Sequence, residues 1–309
     1  MIGLRRWSLE MIDDSLAKYA PGESLASHAC IANLRYKLGF ADANIIGFDT
    51  LAIREIDTTR SGTMILLVRE PQDSARVHPV IRALDETPRH EEWRSVTTVF
   101  RSDLPLFLSF YQAYLREEPS ATPKGAASVR DSPDWAAMTQ VLAREHTDSG
   151  FTKALHVLDH SPSNPDRSVA ILILSRYPDR EEAWRALLMA AVENHQWLDS
   201  GIAQEALQTM SARHPRPVDW TPVAPVIRNV LDGSALVALA PVIDVLLRTG
   251  VDRRSAPALL KDGGEVLTAL LEVSSSEVAR PAHDLLVKLR GEDLGNAPAP
   301  WRAWIGTLR

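Results

Sequence analysis

Residues 234–250 read SALVALAPVIDVLLRTG, an almost unbroken apolar run with Pro241 seven residues past Ser234. Leu236, Leu239, Ile243, Leu246 and Leu247 recur at helical spacing, and Gly250 closes the segment. A proline inside such a helix removes a backbone hydrogen bond and costs about 3 kcal/mol in isolation, so its presence needs a structural reason. Forty residues later, SSSEVARPAHDLLVKLRG (274–291) superposes Pro281 on Pro241 and Ser274 on Ser234, and again closes on a glycine. That separation is the length of one helical hairpin in a repeat array. The two prolines then read as bends that let helices wrap a curved stack, their cost offset by burial of the leucines and isoleucine. An irregular helical bundle remains the competing architecture.

Helical patterns fill the chain on both sides of this stretch. Pro133–Glu145 places Trp135, Met138, Val141 and Leu142 on one face. Similar segments cover 166–177, 180–194, 198–212, 222–231, 235–249, 256–261, 265–273 and 276–290, separated by NPD, YPD, HPRP, LDGS, RTG, DGG and LRG. From about residue 134 onward the unit resembles HEAT repeats, whose first helix is often bent by a proline. The resemblance concerns architecture alone.

Before residue 117 the pattern is mixed. Helices are predicted over 5–19, 24–38, 74–84 and 104–115, and strands over 44–48, 51–57, 63–70 and 94–100, the second and third forming a hairpin through Gly62. Between the halves, EEPSATPKGAASVRDSP (117–133) carries three prolines and no hydrophobic period, the mark of a linker. The expected fold is therefore an α+β N-terminal domain (1–116), a linker (117–133) and an all-α helical-repeat domain (134–309).

The element order over residues 22–100, with Gly22-Glu23, then Glu55-Ile56-Asp57, then a strand ending in Glu70, resembles the restriction-endonuclease-like PD-(D/E)xK superfamily. The resemblance implies a Mg²⁺ ion held by Asp57 and Glu70, with Glu23 as an accessory acid. Phosphoryl chemistry needs hard oxygen ligands converging beside a phosphate. The position the family fills with lysine is Gln72 here, a departure that puts activity in doubt, although Arg69 or Arg54 would be placed to substitute. Without the resemblance, Asp57 caps a turn, Glu70 ends a strand before Pro71, and Glu23 is an ordinary helix-start acid.

In HVLDH (156–160), His156 and His160 lie one helical turn apart, a metal-clamp spacing that lacks an identifiable third ligand. His160 is equally placed to meet helix-end carbonyls. His28 and Cys30 point to different helix faces, which does not suit a nucleophile and its base, and Cys30 reads as a small buried apolar residue. Trp184, Trp197 and Trp220 read as packing residues between helices. No phosphate-binding glycine loop, dinucleotide fingerprint or CxxC pair occurs.

The 309 residues carry a formal net charge of −6. This balance disfavours broad nucleic-acid binding, which rests on a basic surface, and suits a basic partner. One cysteine excludes an intrachain disulfide and fits a reducing compartment. The acidic residues at 10, 13 and 14 interrupt any signal peptide, and no apolar run is long enough to span a membrane, so a cytoplasmic location is expected. The leading expectation is a non-enzymatic interaction protein of adaptor, chaperone or immunity type, working without a cofactor and holding another protein on a helical-repeat surface. The alternative is a Mg²⁺-dependent nuclease, or a degenerate relative that binds nucleic acid. A third class, a helical-array DNA-binding protein, requires Arg248, Arg253, Arg254 and Lys261 to share a groove.

Overall fold

The structure is a computed structural model that describes residues 3–23, 27–48, 63–76, 90–116, 131–193, 197–261, 263–273 and 275–308. Helices α1 (Leu9–Leu16) and α2 (His28–Tyr36) precede strands β1 (Asp42–Phe48) and β2 (Thr63–Arg69), followed by a 3₁₀ turn at Pro71–Arg76. Next come α3 (Arg94–Ser102), α4 (Leu104–Arg116), α5 (Pro133–Arg144), α6 (Asp148–His160), α7 (Asn164–Leu174), α8 (Glu181–Ala191) and α9 (Trp197–Arg213). Then follow α10 (Ala224–Asp232), α11 (Leu239–Arg248), α12 (Ala256–Leu260), α13 (Glu265–Ala269), α14 (Ser276–Arg290) and α15 (Pro298–Ile305). The described chain is thus predominantly helical, and its part after residue 133 contains helices and no strands. Among the described residues no helix is long and apolar enough to cross a membrane.

Two compact units emerge. The first gathers residues 1–79, 224–247 and 251–309; the second gathers 80–223 and 248–250. The units therefore cross the expected division at 117–133: α3 and α4 belong with the helices that follow them, and the sheet belongs with the carboxy-terminal helices. Residues 117–130 lie outside the described ones.

In the first unit β1 and β2 pair antiparallel, Asp42 opposite Arg69 and Phe48 opposite Thr63. One cluster buries Ile12, Leu16, Cys30, Leu34, Phe40, Ala43, Leu66 and Val68, with Leu4 and Trp7 packed against it. Each large apolar side chain removed from water in this way contributes roughly 1.5–3 kcal/mol. Ser8 caps α1 through the Met11 N–H, and Ser27 caps α2 through the Cys30 N–H, both at 3.1 Å. Elsewhere in this unit Ile227, Leu239, Ile243, Leu285, Leu289 and Trp301 are buried.

The second unit is built of chain-adjacent helical pairs, α6 against α7 and α8 against α9, with α3 packed on α5 and α7. Trp184 is fully buried and its indole N–H donates to the Pro178 carbonyl at 2.8 Å. The Trp220 indole donates to Thr249 Oγ1 at 2.9 Å. Both serve packing.

Several sequence expectations change. Residues 94–100 form helix α3, where a strand was expected. Trp93, Val96, Thr97 and Phe100 fall at spacings of three, one and three, and Trp93, Val96 and Thr97 are buried. Helical burial on that face overrides the strand preference of a β-branched run. The expected strand 51–57 lies outside the described residues, as do 77–84 of the expected helix 74–84, whose beginning lies in the 3₁₀ turn. The first helix starts at Leu9 and not Arg5, because Ser8 is extended and caps it through the Met11 N–H, while the N–H groups of residues 5–7 bind Glu70.

The two prolines of the forty-residue period occupy unlike positions. Pro241 is the third residue of α11, in the first turn, where an N–H has no partner within the helix. Pro281 is the sixth residue of α14 and lies inside it. Pro281 alone removes a hydrogen bond inside its own α-helix, whereas Pro241 follows the 3₁₀ turn Leu236–Ala238 that leads into α11, so the two prolines are not equivalent.

Candidate functional site

The end of β2 delivers Arg69 and Glu70 into the interior, exposed by only 3 % and 0 %. Glu70 Oε1 accepts the backbone N–H groups of Arg5 at 2.6 Å, Arg6 at 2.8 Å and Trp7 at 3.0 Å. Oε2 accepts from Arg6 N at 3.1 Å and from the Gln72 side-chain amide. Burial pushes this carboxyl upward, but the bonds from Trp7, Arg5, Gln72 and Arg6 outweigh it and lower its pKa to about 2.

Arg69 donates to Glu265 at 3.1 Å and faces Asp232 at 3.5 Å. Asp42, its partner in register, pairs with Arg35 and accepts the Ala43 N–H at 2.9 Å. The strand ends therefore carry charges that the fold itself neutralises.

This geometry bears on the Mg²⁺ expected from the nuclease resemblance. A carboxylate offers about four lone-pair sites, and those of Glu70 face N–H donors from four residues. A cation there would meet the positive ends of those bonds, so Glu70 as placed does not fit a metal ligand. Gln72, in the lysine position, binds Glu70 directly and secures the same contact. Glu23 is exposed on a turn, and Asp57 and Arg54 lie outside the described residues. Of the expected nuclease residues, the structure brings together Glu70 and Gln72.

His156 and His160 both lie on α6, their rings 4.5 Å apart. His160 Nδ1 meets the His156 carbonyl at 2.9 Å, the helix-end contact anticipated from its position. Among the described residues no group of three or more His, Cys, Asp or Glu side chains is arranged to hold a metal. Cys30 is buried with a free thiol.

The second unit holds a polar cluster that sequence reading passed over. Arg167, fully buried on the apolar helix α7, donates to Asp199 at 3.2 Å, to Glu193 and to the Leu158 carbonyl at 2.5 Å. Ser168 donates to Asp199 at 2.8 Å. Burial raises the Asp199 pKa to about 6, against the lowering pull of Ser168 and Arg167. One cation thus serves two buried carboxylates, an arrangement that binds α7 to α9. Its signal was Asp166-Arg167 inside an otherwise apolar helix, since a charge on a buried face requires partners.

No family model, curated protein or solved structure matches the chain.

Proposed function

We propose that this protein is a non-enzymatic interaction protein of adaptor, chaperone or immunity type, whose HEAT-like helical surfaces hold a basic protein partner. The observation that carries this reading is the set of large apolar side chains left in water. Leu9, Met11, Tyr19, Tyr36 and Val237 are the exposed ones among the described residues, and all belong to the first unit; Val237 lies in the repeat-like part, and the other four extend the proposed surface onto α1, the turn after it and α2. Tyr36, at the end of α2, is 81 % exposed. Tyrosine and methionine are enriched in the cores of protein interfaces, where covering them returns hydrophobic free energy. The net charge of −6 favours association with a positively charged surface and makes it salt-dependent.

The test is affinity capture with the full chain at low and moderate salt, followed by reconstitution with the purified candidate partner. A stoichiometric complex with a basic protein, weakened by Tyr36→Ala, is expected. Failure to obtain any stable protein complex at either salt concentration removes the proposal. The nuclease reading is decided separately by plasmid cleavage with Mg²⁺ or Mn²⁺. Cutting by the wild type that disappears in Asp57→Asn would replace the interaction reading.

A further inference from the structure

In the first unit, α12, the end of α14 and the segment through α15 line an open-sided cavity of about 440 Å³ whose lining includes Arg253, Arg290, Glu292, Leu289, Trp304 and Leu308. Its two guanidinium groups are underused by the fold. Arg290 lies 5.7 Å from the centre of the Trp304 ring and donates one terminal nitrogen to Glu292 at 3.3 Å, while its Nε is buried without an acceptor. A buried donor left without an acceptor is destabilising, and a bound acceptor would relieve that cost. Arg253 is exposed and has no hydrogen bond or ion pair among the described residues.

Arg253 nevertheless lies along the cavity wall. Its stem crosses Gly291, where an added β-carbon would sit 2.6 Å from its Cδ and 3.0 Å from its Cγ. Gly291 also has a φ of 78°, a left-handed conformation that closes α14. The left-handed conformation favours glycine there, and the absence of a β-carbon lets the arginine stem lie close against the backbone.

We propose that this cavity binds a molecule carrying a single carboxylate on an apolar or aromatic body. The guanidinium fork matches a carboxylate bidentately, and Trp304, Leu289 and Leu308 supply a surface for the body. Charge selects against phosphate. Two arginines against Glu292 leave one surplus positive charge, which a monovalent carboxylate balances and a phosphate dianion exceeds. The cavity is also within the range of about 300–1,000 Å³ usual for small organic ligands, far more than a bare inorganic anion fills. The carboxylate has two possible sources, a free organic acid or the C-terminus of a peptide.

Calorimetric titration of the full chain tests this with five probes: phenylacetate, phenylacetamide, an acetylated tripeptide ending in phenylalanine, its C-terminal amide, and inorganic phosphate. At least one acid is expected to bind about tenfold or more tightly than its matching amide. Tighter binding of phenylacetate assigns the site to free acids, and tighter binding of the peptide acid assigns it to chain termini. Arg253→Gln should weaken that binding about tenfold with an unchanged melting temperature, since the side chain is exposed. Arg290→Gln should weaken it as well. Absence of heat from both acids up to about 10 mM would overturn the proposal. Equal binding of acids and amides, tighter binding of phosphate, or full affinity in Arg253→Gln would each do the same.

Discussion

The backbone N–H of Trp7 donates to Glu70 Oε1 at 3.0 Å across 63 residues of chain, and the preceding two N–H groups converge on the same carboxylate. An acidic side chain that resembles a metal ligand in the sequence thus fastens the amino-terminal segment beside the sheet.

That bond set has a pH signature. The folded-state pKa of Glu70 lies at about 2, below the ordinary 4.5, so its contribution is fully present above pH 4.5 and is lost as the pH falls towards 2. Glu70→Gln should destabilise the fold at neutral pH by about 3 kcal/mol and flatten this part of the acid dependence. Denaturant titrations of both proteins through that acid range check it. Equal stabilities at neutral pH would show that the contact has little weight.

Asp199 has the opposite sign. Its pKa is raised from 3.8 to about 6, so its contribution is complete below pH 3.8 and is lost as the pH rises through 6. Asp199→Asn removes that loss while keeping oxygen and nitrogen near Ser168 and Arg167. The variant is expected to gain on the wild type by of order 2 kcal/mol between about pH 4 and pH 7. Stability curves that stay parallel across this interval would contradict the assignment.

Gly150 lies buried in the first turn of α6, where alanine would ordinarily improve helix propensity. Here an added β-carbon would stand 2.0 Å from the Glu145 carbonyl oxygen and 2.8 Å from its carbon, both backbone atoms. Gly150→Ala should therefore destabilise by about 2 kcal/mol or more. Thermal unfolding decides the sign.

The two prolines of the forty-residue period should respond differently. Pro281→Ala restores a hydrogen bond inside α14 and is expected to stabilise by about 1 kcal/mol or more. Pro241→Ala, in the first turn of α11, restores none and should change stability by less than about 0.5 kcal/mol. Matching effects in urea titrations would restore the equivalence that the sequence alignment suggested.

The amino-acid sequence by itself determined the helices after residue 133, because their apolar faces repeat locally: Met138, Val141 and Leu142 mark α5 with no knowledge of what covers them. It also exposed the burial of Cys30 and the packing role of Trp184. Tertiary structure alone decided that Arg94–Ser102 is helical, since its β-branched residues suit either period and only packing on α5 and α7 selects one. It alone assigned Glu70 to the N–H groups of residues 5–7, Arg69 to Asp232 and Glu265, and Arg253 to the cavity beside Arg290. The physical reason is range. Helical periodicity and capping act over a few residues, whereas the partner of a charge is chosen by chain segments that meet only when the fold closes.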